Sequence, residues 1–117
     1  MSIVLGVGGM DEVVRKVAAL GLPGIILVVT MATTGLAGAA AITAALAFLG
    51  PGGMLGGIAL LGITGLIADA LAKVGIEQLL LNIYQYRSQR EARSALLQEI
   101  DRLPISKDLA RSLKDHL

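Results

Sequence analysis

The feature that most constrains this chain is a run of about 50 residues, from Leu20 to Ala68, without a single ionisable side chain. As one straight α-helix, this run would be roughly 70 to 75 Å long at about 1.5 Å per residue. The hydrocarbon core of a bilayer is only about 30 Å thick and is crossed by about 20 helical residues. One helix is therefore too long for a single crossing, and we expect two helical legs that fold back on each other.

The strongest turn signal in the run is the four-residue stretch Gly50, Pro51, Gly52 and Gly53. Proline lacks a backbone N–H and glycine tolerates positive φ, so both residue types favour a turn here. We expect a helical hairpin with its tip at this stretch, a first leg over residues 22–49 and a second leg from Met54 onward. The first leg exceeds one bilayer thickness, so it must tilt, bend near Gly35 or lie partly at the interface.

Charge divides the chain into three parts, because all ten Lys and Arg and all nine Asp and Glu fall in residues 11–16 or 69–115. We interpret residues 1–21 as an amphipathic segment, 22–82 as a membrane helical hairpin and 83–117 as charged helices. The bases flank the apolar run and none lies at its tip, a distribution that predicts a membrane localisation with both termini cytoplasmic. The expected fold class is all-α: a glycine-rich transmembrane hairpin flanked by amphipathic helices, and oligomeric.

Composition narrows the function classes. The hydrophobic share of 55 % exceeds the usual share of about 45 to 50 % in soluble globular domains, which favours a bilayer protein or a tightly packed oligomer. Acids and bases are interleaved with a net charge of +1, so we expect no nucleic-acid partner. Cysteine is absent, and no phosphate-binding, metalloprotease or nucleophile-elbow motif occurs. We predict no enzyme, cofactor or metal.

Small residues repeat at helical spacing on both legs, and small side chains let helices in lipid approach closely. On the first leg the repeat is Gly35, Ala39, Thr43 and Ala47; on the second it is Gly62, Gly65, Asp69 and Ala72. A hairpin uses one such face internally and leaves another for a second copy. We therefore predict a homo-oligomer, with packing positions at Gly35, Ala39, Thr43, Gly53, Gly57, Gly62 and Gly65.

Asp69 is the first charge after the run, about 27 Å along a helix from Pro51. Two interpretations stay open. Asp69 pairs with Lys73, and Lys73 with Glu77, at i, i+4 spacing near the interface. Alternatively, Asp69 is buried between subunits or lines a pore, because intramembrane ionisable groups mark functional sites. The candidate polar side chains for a pore or for helix pairing are Thr30, Thr33, Thr34, Thr43, Thr64, Asp69 and Lys73.

The flanking segments have amphipathic helical patterns. Residues 11–20 form one such pattern, which Gly21 and Pro23 end. After Glu77 the helical pattern continues to Leu103, where Pro104 stops it. Tyr84 and Tyr86 within this helix are typical of an interfacial aromatic belt.

A last short helix is predicted after Ser106, which is a suitable N-cap. Leu109, Leu113 and Leu117 form one apolar stripe along it. So short a helix is unstable alone in water. It either folds back on the preceding helix or docks on a partner protein.

The stretch GLAGAAAITAALAFLGPGGMLGGIALLGITGLI, residues 35 to 67, resembles the glycine-rich two-helix hairpins of small bacterial membrane proteins and of the interferon-induced 6-16 family. The layout of a short N-terminus, two spans and a charged tail is similar to that of phage holins. The ATP synthase c subunit shares a glycine-rich hairpin with a carboxylate in its second span, but the tip here lacks that family's polar loop. These resemblances imply membrane insertion, self-association and permeabilisation.

The leading hypothesis is a self-assembling membrane protein that forms a pore or permeabilises the membrane, as a holin-like or bacterial defence effector. Its partners would be the lipid bilayer and further copies of the chain. One alternative is a membrane-anchored adaptor whose residues 83–117 recruit a partner protein. The other is a soluble helical oligomer or filament that buries the apolar hairpin between subunits.

Overall fold

The computed structural model of the chain describes residues 2–35, 38–49 and 57–117, and the side-chain environment within residues 10–35, 40–47 and 63–117. These described residues form six helices, and no strand occurs among them, so the all-α prediction is confirmed. The predicted turn at residues 50–53 lies outside the described residues. The helices are α1 (Ser2–Leu20), α2 (Leu22–Thr34), α3 (Gly38–Leu49), α4 (Gly57–Ser88), α5 (Arg93–Asp101) and α6 (Lys107–Asp115).

Helix α2 is apolar on all sides and is the most deeply buried part of the described chain. Residues 24–29 and Met31 are buried, and α1, α3 and α4 each contact this helix. A helix that is hydrophobic all round belongs either in a protein core or in a membrane. Here the other helices of the same chain cover it.

One hydrophobic core extends from α2 to both ends of the described chain. Its fully buried side chains include Val13, Val17, Ile25, Leu27, Ile67, Leu80, Ile83, Leu96, Ile100 and Leu113. All six helices except α3 supply a large side chain to that set, and α3 contributes Ala41 and Ala45. The charged C-terminal helices are therefore part of the same packed unit as the uncharged run.

The predicted first leg is two helices rather than one. Helix α2 ends at Thr34, and Gly35 follows in the left-handed conformation with φ of 73°. Its N–H donates to the carbonyl of Met31 at 3.1 Å, which closes the last turn. Helix α3 begins at Gly38. The sequence left three alternatives for the surplus length of this leg: a tilt, a bend near Gly35 or a position partly at the interface. The structure shows that the helix is interrupted at Gly35.

This interruption bears on the predicted membrane-spanning localisation. Helices α2 and α3 have 13 and 12 residues, about 18 to 20 Å each, whereas a bilayer core is about 30 Å thick. No helix among the described residues combines the length and the apolar character that a membrane crossing requires. The predicted membrane-spanning localisation with both termini cytoplasmic is therefore wrong. The uncharged run contains the two short helices α2 and α3, and other helices of the chain cover most of α2.

Helix α4 bends sharply at Gly75. This residue has φ of 83° and ψ of 172°, far from helical values. That backbone region is essentially restricted to glycine, because a Cβ would clash with the neighbouring peptide groups. The bend separates residues 57–74 from residues 76–88 and lets the second part pack against the C-terminal helices.

The C-terminal third differs from its prediction in one respect. The continuous helix expected from Glu77 to Leu103 is wrong, because α4 ends at Ser88 and α5 begins only at Arg93. The predicted stop before Pro104 and the Ser106 cap are confirmed: α5 ends at Asp101, and the Leu109 N–H donates to Ser106 Oγ at 3.1 Å. Helix α6 folds back against α4 and α5 and buries Leu113.

Candidate functional site

The small residues of the two predicted repeats face outward wherever the structure describes their environment. On the first leg Gly35, Thr43 and Ala47 are exposed, and on the second Gly65 and Ala72 are exposed. The environment of the other predicted packing positions, Ala39, Gly53, Gly57 and Gly62, lies outside the described side chains. The described members of the repeats thus do not pack against each other within the chain.

The buried small residues of α3 and α4 lie at neighbouring positions instead. Ala41 and Ala45 of α3 and Ala70 of α4 are buried, and Thr64 is buried with them. Successive residues of a helix point in different directions. Several residues next to these buried positions are therefore exposed to solvent. We define the small-residue surface as five exposed small residues on these two contacting helices: Ala40, Thr43, Ala47, Gly65 and Ala68.

The candidate hydroxyl groups near the end of α2 are engaged by their own helix. Thr33 Oγ1 donates to the carbonyl of Val29 at 2.8 Å, and Thr34 Oγ1 donates to the carbonyl of Thr30 at 2.6 Å. Thr33, Thr34 and Thr43 are exposed, Thr30 is half-buried and Thr64 is buried. These five threonines therefore do not converge on one common environment.

Asp69 and Lys73 form an ion pair on the outside of α4. Asp69 Oδ2 lies 3.0 Å from Lys73 Nζ, and both side chains are 63 % exposed. This is the i, i+4 pairing that the sequence offered as the first interpretation. An exposed pair of this kind stabilises a helix by only a fraction of about 1 kcal/mol. A role of Asp69 between subunits stays a prediction.

The most buried charge in the described chain is Arg87, which is 4 % exposed. Its Nε lies 2.6 Å from Glu91 Oε2, and its Nη2 lies 2.9 Å from both Glu91 Oε1 and Glu99 Oε1. The Tyr84 hydroxyl donates to Glu99 Oε2 at 2.6 Å, and the Arg87 guanidinium lies 5.3 Å from the centre of the Tyr84 ring. We call these four residues the Arg87 cluster.

Electrostatics keep Arg87 charged and the Tyr84 hydroxyl protonated near neutral pH. Burial works to lower the pKa of Arg87, but hydrogen bonds to Glu91 and Glu99 outweigh it and raise that pKa. Burial, followed by the hydrogen bond to Glu99, raises the pKa of Tyr84 well above its ordinary value. A permanent cation thus holds two carboxylates, and a protonated phenol donates to one of them. Arg87 bonds to both carboxylates and Tyr84 bonds to Glu99, so the cluster serves as an anchor between α4 and α5.

Sequence reasoning missed this anchor. The predicted interfacial belt is wrong for Tyr84, which is buried and bonded to Glu99. The i, i+4 spacing of Arg87 and Glu91 is a visible signal for one of the ion pairs. Glu99 reaches Arg87 only because the chain turns between α4 and α5, and the expected continuous helix would have kept these two residues apart.

Acid is expected to weaken the Arg87 cluster. The hydrogen bond from Arg87 lowers the pKa of Glu91 from its ordinary value of 4.5. A carboxylate with a lowered pKa in the folded state contributes stability above its unfolded pKa and loses it as pH falls through the folded pKa. This contribution is therefore complete above about pH 4.5 and declines below it.

Urea unfolding at about pH 6 and about pH 3 checks this prediction, because linkage makes the two free energies differ. We expect Glu91→Gln to reduce the loss of stability between the two pH values. The matched variant Asp115→Asn, at an exposed carboxylate on α6, should retain the loss. Equal acid sensitivity of Glu91→Gln and the unaltered chain would contradict the prediction.

A groove of about 320 Å³ lies between α5 and α6. Its apolar lining comes from Ile100, Leu103, Ile105 and Ala110, and its charged lining from Asp101, Lys107, Arg111 and Lys114. We call it the basic groove, since three of its four charged residues are bases. Among the described residues, no group of three or more His, Asp or Glu could hold a metal ion.

A second groove of about 340 Å³ lies between the middle of α1 and the C-terminal end of α4 and has a different character. Its polar lining is mainly amide, from Asn82, Gln85 and Gln89, with Asp11 as its acidic group. Neither of these two grooves has a nucleophile paired with a base in its lining. No protein-family model, curated protein or solved structure matches this chain.

Proposed function

We propose that this protein acts by self-assembly, with copies meeting through the small-residue surface of α3 and α4. The observation that carries the proposal is the outward orientation of Ala40, Thr43, Ala47, Gly65 and Ala68. Ala40, Thr43 and Ala47 lie at i, i+3 and i+7 on α3, and Gly65 and Ala68 lie at i and i+3 on α4. The residues of each helix therefore form one line along it. Small side chains along a line let a second helix approach closely.

The distribution of charge supports the same proposal. No ionisable residue occurs between Leu20 and Ala68, so the exposed positions of α3 carry neither net repulsion nor a strongly hydrated group. Charged side chains are normally depleted at the core of protein interfaces. The exposed Asp69–Lys73 ion pair lies beside Ala68 on α4, but most other exposed charges of the described chain lie in α1, in the C-terminal part of α4 and in α5 and α6. Assembly through the small-residue surface would leave those charges in water.

Charge insertion tests the proposal. The double variant Ala47→Glu/Ala68→Glu places two carboxylates on the small-residue surface at positions that are exposed within one copy. We expect the dissociation constant of the oligomer to rise by at least about tenfold, which corresponds to about 1.4 kcal/mol. Sedimentation velocity over a range of protein concentrations measures it.

The control is Ala95→Glu, the same change at an exposed position of α5. It should leave the dissociation constant within about twofold, since surface substitutions away from an interface have small effects. Two results would reject the proposal: a chain that stays monomeric at high concentration, or an oligomer that the double variant does not weaken.

Membrane permeabilisation, the leading hypothesis from the sequence, stays a prediction. Adding purified protein to liposomes that contain a self-quenching dye checks it directly. Dye release would support permeabilisation, and intact vesicles would reject it. This measurement is independent of the assembly test, because self-association through α3 and α4 requires no lipid.

A further inference from the structure

The basic groove is a preformed surface rather than a gap between mobile ends. Ser106 caps α6, and Leu113 of that helix is fully buried. Ser112 Oγ donates to Glu77 Oε2 at 2.7 Å, which joins α6 to α4. On the other side, the Arg87 cluster holds α5 through Glu99. A site fixed in advance loses little entropy on binding.

The bases of the groove lie along one side of α6. Lys107, Arg111 and Lys114 are spaced i, i+4 and i+7, so they form a line about 10 Å long. Lys114 Nζ binds Asp101 Oδ1 at 2.7 Å across the groove. Arg111 has a weaker contact with Asp108, at 3.6 Å, and both side chains are largely exposed. The lining has three positive charges and one negative charge, so it favours an acidic occupant.

The floor beside this line is apolar and of limited size. Ile100 and Leu103 are buried, while Ile105 and Ala110 are half-buried. The volume of about 320 Å³ is at the lower end for small-molecule pockets, and the groove is open to solvent along one side. An open apolar floor beside a line of charges matches one face of an amphipathic helix, whose apolar and charged side chains also repeat at i, i+4 and i+7.

We infer that the basic groove binds an acidic amphipathic helical segment of a partner protein. Carboxylates of the segment would lie along Lys107 and Arg111, and its apolar side chains would contact Ile105 and Ala110. This inference does not rest on the proposed self-assembly, because the groove and the small-residue surface have no residue in common.

A synthetic peptide tests the inference. The probe is a helical peptide of about four turns with glutamates at i, i+4 and i+7 and leucines on the adjacent face. The control peptide has lysines in place of the glutamates. Each is titrated into the ¹⁵N-labelled full chain at low and at moderate salt. We expect only the acidic peptide to shift amide resonances around Leu103, Ile105 and Ala110, and salt to weaken its binding.

Charge reversal localises the binding. Lys107→Glu/Arg111→Glu should weaken binding of the acidic peptide by at least about tenfold, whereas the matched reversal Lys73→Glu on α4 should leave it unchanged. Three results would overturn the inference: no shifts at about millimolar peptide, equal shifts with the lysine peptide, or shifts on another surface. All three results are obtained on the unaltered chain, so they stand whether or not the double variant folds. If Lys107→Glu/Arg111→Glu sediments like the unaltered chain, the basic groove is distinct from the assembly surface.

Discussion

Replacing Arg87 with alanine is expected to lower the free energy of unfolding by about 3 to 5 kcal/mol, because it leaves a carboxylate without its buried cation. Glu99 receives two N–H groups of Arg87, and its side chain is only 15 % exposed. Tyr84 would then be the one remaining partner that the cluster offers to that carboxylate. Urea denaturation followed by circular dichroism measures the loss.

The matched control for this prediction is Arg90→Ala, three residues along the chain. Arg90 is exposed, with its guanidinium 4.7 Å from the centre of the Tyr86 ring. Removing an exposed cation–π contact costs about 0.5 to 1 kcal/mol. The paired replacement Arg87→Met/Glu99→Leu should cost less than the two single changes added together, because no buried charge loses its partner. Equal losses for the Arg87 and Arg90 variants would contradict the anchoring role.

Replacing Gly75 with alanine should lower the free energy of unfolding by about 1 to 3 kcal/mol, the usual cost of an unfavourable backbone conformation. The φ of 83° and ψ of 172° at this residue are accessible to glycine but strained for any residue with a Cβ. The space around the position is open, so backbone strain is the only expected source of the loss.

Gly65→Ala provides a control of opposite sign on the same helix. Gly65 has helical geometry, and a Cβ added there meets no atom within 4 Å. Alanine should raise stability by up to about 1 kcal/mol, because glycine is the poorer helix former. Thermal unfolding compares the stability of the unaltered chain, Gly75→Ala and Gly65→Ala. The three proteins are measured at concentrations that give them the same oligomeric state. Stabilisation by Gly75→Ala would show that α4 does not bend in solution.

Local signals predicted the ends of several helices. Gly21 and Pro23 mark the boundary between α1 and α2, and Ser106 marks the start of α6. These positions depend on caps and on missing N–H groups, which act within a few residues along the chain. Such features are visible in a sequence because no distant contact is needed to produce them.

The environment of the apolar run could not be predicted in this way. A helix that is apolar on all sides, such as α2, is equally suited to lipid and to a protein core. Which of the two applies depends on whether the rest of the chain covers it, and that is a long-range property. Gly35 had a similar ambiguity, since glycine can continue a membrane helix or cap it in the left-handed conformation.

The candidate surfaces were partly visible. The spacing of Thr43 with Ala47 and of Gly65 with Ala72 indicated small faces on α3 and α4, but not that these faces are exposed instead of packed against each other. The Arg87 cluster requires the turn between α4 and α5. Residues 89–92 contain neither glycine nor proline, so no local signal separated those helices.

Hydrogen exchange at two protein concentrations tests the central claim most directly, because it reports where copies of the unaltered chain contact each other. Self-assembly through the small-residue surface predicts that amides in residues 40–47 and 65–72 exchange more slowly at the higher concentration, while those in residues 93–115 do not change. Exchange that is independent of concentration, or slowing confined to α5 and α6, would contradict it.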